Sequence, residues 1–445
     1  MKAVLALLLV LSAFASKAFA INGAELIGSG PISGSLGGTG VAYPQDSITA
    51  IALNPAGLSF LGDGNGLAPS QTGQSLIPYE EGKAAPPQSS LRVDHGLEVD
   101  LAVTVVFPNI TAEINGVKAN NQASVFLIPE FAISVPLTYD RAWRFGLEVY
   151  GSAGFGVDYR STALDNSRFY NFGPGHVFPL ASGIYTYYSN LRFAPSLSYR
   201  ISSQWSVGLG VHIDYATLDL GSGSTNGFSA GVQPGIIFRP RENLSIGLTY
   251  TSPQPVTFRR VSDFTGNGTL DNLTVETPQE VVLGASWELC SHRILLETDW
   301  KWIDWGNADG YKDFGWKDQW VVGVGAQYSI IPKKLFLRVG YNYGNNPIKT
   351  DSHWNPTGTT MVQGNAIPNY YYESSRILGV PAISENHIAV GIGYGFNDRF
   401  SINLGYTHAF SKSISETGPN LVGKTTTIRS RLSEEIAQIG LNWRY

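Results

Sequence analysis

The chain has 445 residues, a net charge of −5 and a single Cys. That length supports a large domain, the acidic balance gives no footprint for nucleic-acid binding, and one thiol excludes an intrachain disulfide framework. No Cys/His spacing resembles a zinc site, and no metal, cofactor or catalytic group is expected. Fifty Gly, 22 Tyr, 10 Trp and two Met suit a β-protein whose aromatics sit at interfaces.

Met1 to Ala20 reads as a signal peptide: Lys2 is the charged start, Ala3 to Ala15 is an apolar run too short to span a bilayer, and Ala18-Phe19-Ala20 is a small-x-small cleavage site. Cleavage after Ala20 leaves 28 basic against 35 acidic residues. Residues 21–95 fit no strand pattern and are rich in Gly, Pro and Ser. From residue 96 onward, period-2 alternation predicts fourteen strands: 97–107, 125–138, 143–159, 187–199, 205–218, 228–239, 243–256, 279–289, 292–303, 318–329, 334–344, 385–396, 399–411 and 434–445. Each comes close to the roughly 9 to 11 residues that a tilted strand needs to cross a membrane.

The fifth strand is the cleanest, with Trp205, Val207, Leu209, Val211, Ile213 and Tyr215 on one face and Ser206, Gly208, Gly210, His212 and Asp214 on the other. The last strand alternates to its final residue, Tyr445. Tight turns at 141, 202–203, 240–242, 291, 330–333 and 397–398 alternate with long loops at 108–124, 160–186, 257–278, 304–317, 345–384 and 412–433; the connection 219–227 is the short member of the second set. Short turns at one end and long loops at the other are the pattern of a transmembrane barrel, apolar outside and polar within. The expected fold is therefore all-β: a 14-stranded antiparallel transmembrane β-barrel (96–445) with an N-terminal hatch, or plug (21–95), inside its lumen. Inward Glu98, Asp100, Glu130, Arg144, Glu148, Asp158, Arg192, Glu297, Asp299, Lys301 and Arg338 read as a hydrogen-bonded lining.

Asn54-Pro55-Ala56-Gly57, standing after Gly37-Gly38-Thr39-Gly40-Val41-Ala42 and ahead of the strands, resembles the hatch motif of the outer-membrane transporters of long-chain fatty acids and aromatic hydrocarbons, the FadL/TodX type. Phe145 to Gly154 looks like that family's kinked third strand, Trp205 to Gly210 like its fifth, and Gly315 to Trp320 with Phe336 to Gly340 like its tenth and eleventh. The resemblance implies passive, ligand-gated uptake of a hydrophobic compound through a plugged barrel in the bacterial outer membrane. The implied partners are the hydrophobic or fatty-acid substrate and membrane lipid, the implied state a monomer.

It also implies a lateral opening at Gly151, Gly154 and Gly156, and ligand contacts at Lys312, Phe314, Trp316 and Arg338. Glycines within a strand permit a bulge or bend independently of any family. Two departures stand out: the family's partner Arg aligns near Ser222, in a loop too short to form a docking groove, and 62–95 has no counterpart. Aromatic clusters Phe169, Tyr170, Phe172 and Phe178, and Tyr370 to Tyr372 with Ile377 and Leu378, are candidates for capture of apolar solutes. The alternatives are a general porin, which the plug disfavours, and a barrel lipid hydrolase using His212 and Asp214, for which no nucleophile motif is present.

Overall fold

A strand whose outward face meets hydrocarbon must be apolar on every second residue, and its backbone polar groups must all find partners in neighbouring strands. The computed structural model, which describes residues 22–61, 96–138, 140–165, 169–173, 176–179, 181, 183–264 and 267–445, satisfies this with a closed barrel of fourteen antiparallel strands. They are β1 (Glu98–Ile114), β2 (Phe126–Pro136), β3 (Trp143–Asp158), β4 (Tyr185–Arg200), β5 (Trp205–Asp219), β6 (Thr225–Arg241), β7 (Leu244–Thr251), β8 (Glu280–Leu289), β9 (Ile294–Ile303), β10 (Gln319–Ile331), β11 (Leu335–Gly344), β12 (Asn386–Gly395), β13 (Phe400–Pro419) and β14 (Thr425–Arg444). Each pairs with its sequence neighbours, and β14 closes on β1 from Glu98↔Arg444 to Ile114↔Ile428. The signal-peptide reading and the insert 62–95 lie outside the described residues.

The outward faces carry exposed Leu101, Leu209, Val211, Ile213, Val339 and Ile439 between aromatic pairs. Trp143 packs on Tyr199 at 4.5 Å and Trp205 on Phe238 at 4.2 Å near the turn end, while Tyr215 meets Phe228 at 5.0 Å toward the loop end. Among the described residues no helix is long and apolar enough to cross a membrane.

Three segments differ from expectation. Residues 412–433, expected as a long loop, are mostly wall: β13 runs to Pro419 and β14 begins at Thr425. β1 likewise continues to Ile114 and turns back into a short strand, Val117–Asn120. The seventh strand stops at Thr251, and the chain crosses to a separate hairpin, Gln254–Ser262 with Asp271–Thr277. The reason for the first two is a reversal of polarity. Near the turns the inward residues include Glu98, Asp100 and Asn442, but at the loop end most are apolar, Ile110, Ala112, Ile114, Ile414, Ile428 and Leu432 among them, with Ser413, Thr427 and Arg429 facing out. Beyond the hydrocarbon a strand no longer needs an apolar outer face, so its alternation persists with the opposite sign.

Inside lies the hatch: α1 (Gly30–Ser35), α2 (Ser47–Leu53) and a 3₁₀ turn, Pro55–Phe60. Asp46 caps α2 by accepting from the Thr49 amide at 2.8 Å.

Candidate functional site: hatch, side gap and apolar chamber

The Asn-Pro-Ala motif forms the cap of the 3₁₀ turn. Asn54 Oδ1 accepts from the Ala56 amide at 3.1 Å, and Asn54 Nδ2 donates to Val41 O at 2.9 Å and to Ile236 O, on β6, at 3.2 Å. Pro55, which has no amide proton, occupies the first position of the turn, where none is needed. The wall is shaped to receive the motif: a Cβ at Gly208 would lie 2.3 Å from the Ala56 nitrogen, and one at Gly235 would lie 2.1 Å from Asn54 Oδ1. Within the motif itself, a Cβ at Gly57 would lie 2.3 Å from the Pro44 ring.

The inward carboxylates grip the hatch backbone. Glu130 accepts from Ser29 Oγ and the Gly30 amide, both at 2.7 Å; Asp299 accepts from the Gly40 and Val41 amides at 3.0 and 3.1 Å; Asp100 and Glu98 accept from the Ser47 amide at 2.8 and 3.0 Å. The charged lining is thus a dock for the plug as well as a wall network. Arg338, on β11 toward the turn end, belongs to the same layer, donating to Gln327 at 2.6 Å and Asn403 at 2.9 Å. His212 and Asp214 form no pair: Asp214 is bound by Arg192 at 2.8 Å, and His212 Nε2 contacts Gln233 Oε1 at 3.2 Å.

The wall has a break at β3. Its ladder with β2 ends at Glu130↔Tyr150, whereas its ladder with β4 continues to Asp158↔Tyr185 with a bulge between Gly151 and Ala153. Among the described residues, no β2 residue pairs with 151–158. Instead the Gly154 amide donates to Ala24 O at 3.1 Å, and Glu25 bridges Ala153, so the start of the hatch covers the gap from inside. The gap closes above where the Gln122 amide donates to Asp158 O at 2.9 Å. Gly151 and Gly154 therefore lie at the break and Gly156 along its free edge. Glu25 is held in turn by Lys301 at 3.4 Å, which also binds Glu280 at 2.9 Å.

Above the hatch, at the loop end, is an apolar chamber of about 420 Å³. Phe155 and Leu218 come from the wall, Leu273 and Val275 from the hairpin after β7, Tyr311, Phe314 and Trp316 from the β9–β10 loop, and Tyr371, Tyr372 and Arg376 from the β11–β12 loop. Its volume falls within the roughly 300 to 1,000 Å³ of ordinary ligand pockets. Trp305, Tyr311 and Trp316 form a cluster with ring centroids 4.4 to 5.1 Å apart, and Trp305 lies against Gly23, where a Cβ would be 2.8 Å from the indole. The first residues of the hatch therefore touch both the chamber's aromatic cluster and the side gap.

Of the expected ligand residues, Phe314 and Trp316 line the chamber, while Lys312 and Arg338 do not. Lys312 is ion-paired to Asp309, which raises its pKa above the ordinary lysine value, and its side chain is 44% exposed. Tyr371 and Tyr372, noted in the sequence as part of an aromatic cluster, do line it. Arg376 was not singled out, although one Arg set between Tyr370-Tyr371-Tyr372 and Ile377-Leu378 was a readable signal. The side chains of Phe169, Tyr170, Phe172 and Phe178 lie outside the described residues; their backbones form a hairpin, Phe169–Gly173 with His176–Pro179.

No family model and no curated protein matches the chain by sequence. Solved structures do. The P. putida toluene transporter TodX superposes with a TM-score of 0.63 at 18% identity, covering 95% of this chain and 99% of its own. A Pseudomonas aeruginosa FadL homologue gives 0.65 at 13% identity with the same coverage, and the Ralstonia pickettii toluene transporter TbuX gives 0.60 at 16%, covering 96% of this chain and 100% of its own. At such identities the likeness is one of architecture: the chain has the plugged, fourteen-stranded barrel fold of the FadL/TodX type.

Proposed function

We propose that this protein sits in the bacterial outer membrane as a monomer, after removal of its signal peptide, and passively takes up hydrophobic compounds. The observation that carries the proposal is the aromatic chamber of about 420 Å³ set at the loop end of a barrel whose lumen holds the docked hatch. An apolar solute leaves water there by the hydrophobic effect alone, and no energy source is required. Below the chamber lies a smaller space of about 100 Å³ that Glu25, Arg192, Glu280, Asp299 and Lys301 border, and buried charge there disfavours a greasy molecule. The β2–β3 gap offers another way out, directly into lipid. Its cover, Ala24 and Glu25, is two residues or fewer from Gly23, which meets Trp305 in the aromatic cluster. A solute that binds better when this segment is displaced shifts the hatch toward the open arrangement. Lateral release and ligand gating are thereby one movement, with Asn54, Pro55, Ala56 and Gly57 anchoring the part of the hatch that stays.

A general porin would need an open lumen, and the docked hatch weighs against it. A hydrolase would need His212 and Asp214 to act together, and Asp214 is held by Arg192 while His212 contacts Gln233. The test is uptake of labelled toluene and labelled oleate by cells lacking their own transporter and expressing this chain. Entry of either above the vector control supports the proposal. Entry of neither, with the barrel folded in the outer membrane, refutes it.

A further inference from the structure

The chamber is apolar but not free of charge. Arg160, Asp263 and Arg376 contribute to its lining. Arg160 is paired at the rim, with its side chain half exposed: its guanidinium holds Asp158 at 2.7 Å and lies 3.7 Å from the centroid of the Tyr185 ring. Arg376 is the deeper cation, with a side chain only 4% exposed. It stands 5.4 Å from the Tyr372 ring centroid, and Tyr372 stacks on Phe314 at 5.8 Å, so the guanidinium is part of the same aromatic wall that a solute would touch.

By itself a buried guanidinium beside an apolar pocket is a trap for a carboxylate. Here one carboxyl group already binds it and a second lies close. Glu416, reaching in from the loop end of β13 and itself 1% exposed, accepts from Nη2 at 2.6 Å; Glu373, on the short helix α3 (Asn369–Ser374), lies 3.3 Å from Nε. Lys349 O also accepts from Nη2 at 2.5 Å, and the Asp351 amide binds Glu416 Oε1 at 2.8 Å, which fixes the carboxylate in place. Whether or not Glu373 is ionised, the group carries no net positive charge. Glu416 Oε2 and Arg376 Nε are both buried without a hydrogen-bond partner, so a second anion at Arg376 would have to settle beside a carboxylate already held there.

Resting on the uptake reading above, we infer that Glu373, Arg376 and Glu416 form a charge-closed triad that sets the chamber's specificity, admitting uncharged aromatic or aliphatic solutes and rejecting those that carry a carboxylate. Glu416 and Glu373 occupy the place that a fatty-acid or benzoate carboxylate would otherwise take on Arg376. The length of β13 is what makes this possible, because a strand ending at the membrane surface would not bring a carboxylate to residue 416.

The test uses the purified full-length protein in detergent, with binding of toluene, benzyl alcohol and benzoate at neutral pH followed by titration calorimetry and by the fluorescence of the Trp305–Trp316 cluster. The wild type binds toluene and benzyl alcohol, and benzoate at least roughly tenfold more weakly, as expected when a charged acceptor meets a guanidinium already paired with a carboxylate. Benzyl alcohol separates charge from polarity. Glu373→Gln/Glu416→Gln gains benzoate binding by tenfold or more with toluene affinity held within about threefold, and adding Arg376→Gln abolishes the gain. Wild-type binding of benzoate as tight as that of benzyl alcohol overturns the inference while leaving the uptake proposal standing, without recourse to any variant. A folded double variant that binds toluene but not benzoate overturns it equally. Failure of the wild type to bind toluene or any of these ligands refutes the uptake reading and the triad's role with it.

Discussion

Gly208 offers the sharpest test of how the hatch is held. Its place on β5 is opposite the Asn-Pro-Ala turn, where a Cβ would stand 2.3 Å from the Ala56 nitrogen and 2.4 Å from the Pro55 carbonyl carbon. Both are backbone atoms, so no rotamer change relieves the clash, and ordinary contact returns only if the turn retreats by about 1 Å or more. Such a retreat breaks the hydrogen bonds that seat it: Ser206 Oγ to Ala56 O at 2.7 Å, Ser198 Oγ to Ala56 O at 3.2 Å, the Ser59 amide to Ser198 Oγ at 3.1 Å, and Ser59 to Ser206 at 2.7 Å. At about 0.5 to 1 kcal/mol each, the docked hatch loses about 2 to 4 kcal/mol, roughly thirtyfold to a thousandfold in its ratio to displaced states. The barrel's own ladder is untouched, because the Cβ enters the lumen and not the strand pairing. Gly208→Val should therefore fold with normal heat-modifiable mobility and show frequent openings in planar bilayers where the wild type shows rare ones. A folded Gly208→Val barrel with wild-type conductance would refute the reasoning.

Further outcomes follow from the same geometry. Glu130→Ala, which removes the nearer partner of Ser29 Oγ and the partner of the Gly30 amide, should loosen the other side of the hatch and raise conductance, measured in the same bilayer assay. Gly151→Leu, placing a side chain where even a Cβ would be 2.8 Å from Ile128, should crowd the side gap, leaving toluene binding within about twofold but lowering cellular uptake roughly tenfold. Lys312→Ala removes a solvent-facing pair with Asp309 and should change toluene uptake by less than about twofold. Burial pushes the Glu373 carboxyl up to about 8. A carboxyl raised in the folded state contributes stability below its unfolded value and loses it as pH rises through the folded one. The thermal midpoint of the wild type should therefore fall, relative to Glu373→Gln, between about pH 5 and 8.

The barrel was legible because alternation is a local property written residue by residue: all fourteen strands were placed by it, and β5 from Trp205 to Tyr215 shows why. The errors cluster beyond the membrane. Residues 412–419 and 425–433 alternate as strictly as the rest, but Ile414, Ile428 and Leu432 point in while Ser413, Thr427 and Arg429 point out. A search for apolar-outward faces discards such a segment as loop. The inverted residues pack into the same apolar core as Tyr311, Trp316 and Tyr372 of the chamber wall, so the feature that hid the strand ends also hid the support behind the site. Phe314 and Trp316 were found through neighbouring motif residues. Lys312, in the same stretch, lies outside the chamber because Asp309, one helical turn earlier, holds it. Arg376, Glu373 and Glu416 could not be joined from sequence: the first two lie on a loop and the third 40 residues on, in a segment read as another loop. Gly208 and Gly235 are plain strand glycines until the turn at Asn54 and Pro55 is seen against them.

The central claim is that solutes enter through the loop-end chamber, and the most direct measurement is toluene uptake by a barrel in which that chamber has been filled. Val275, 5% exposed on the hairpin after β7, lines it away from the wall and from the hatch. Val275→Trp places an indole in the cavity while leaving the sequence of every barrel strand unchanged. The account predicts loss of most labelled-toluene uptake at wild-type levels of folded protein in the outer membrane. Undiminished uptake with the chamber filled would contradict it, because the solute would then be crossing by another route.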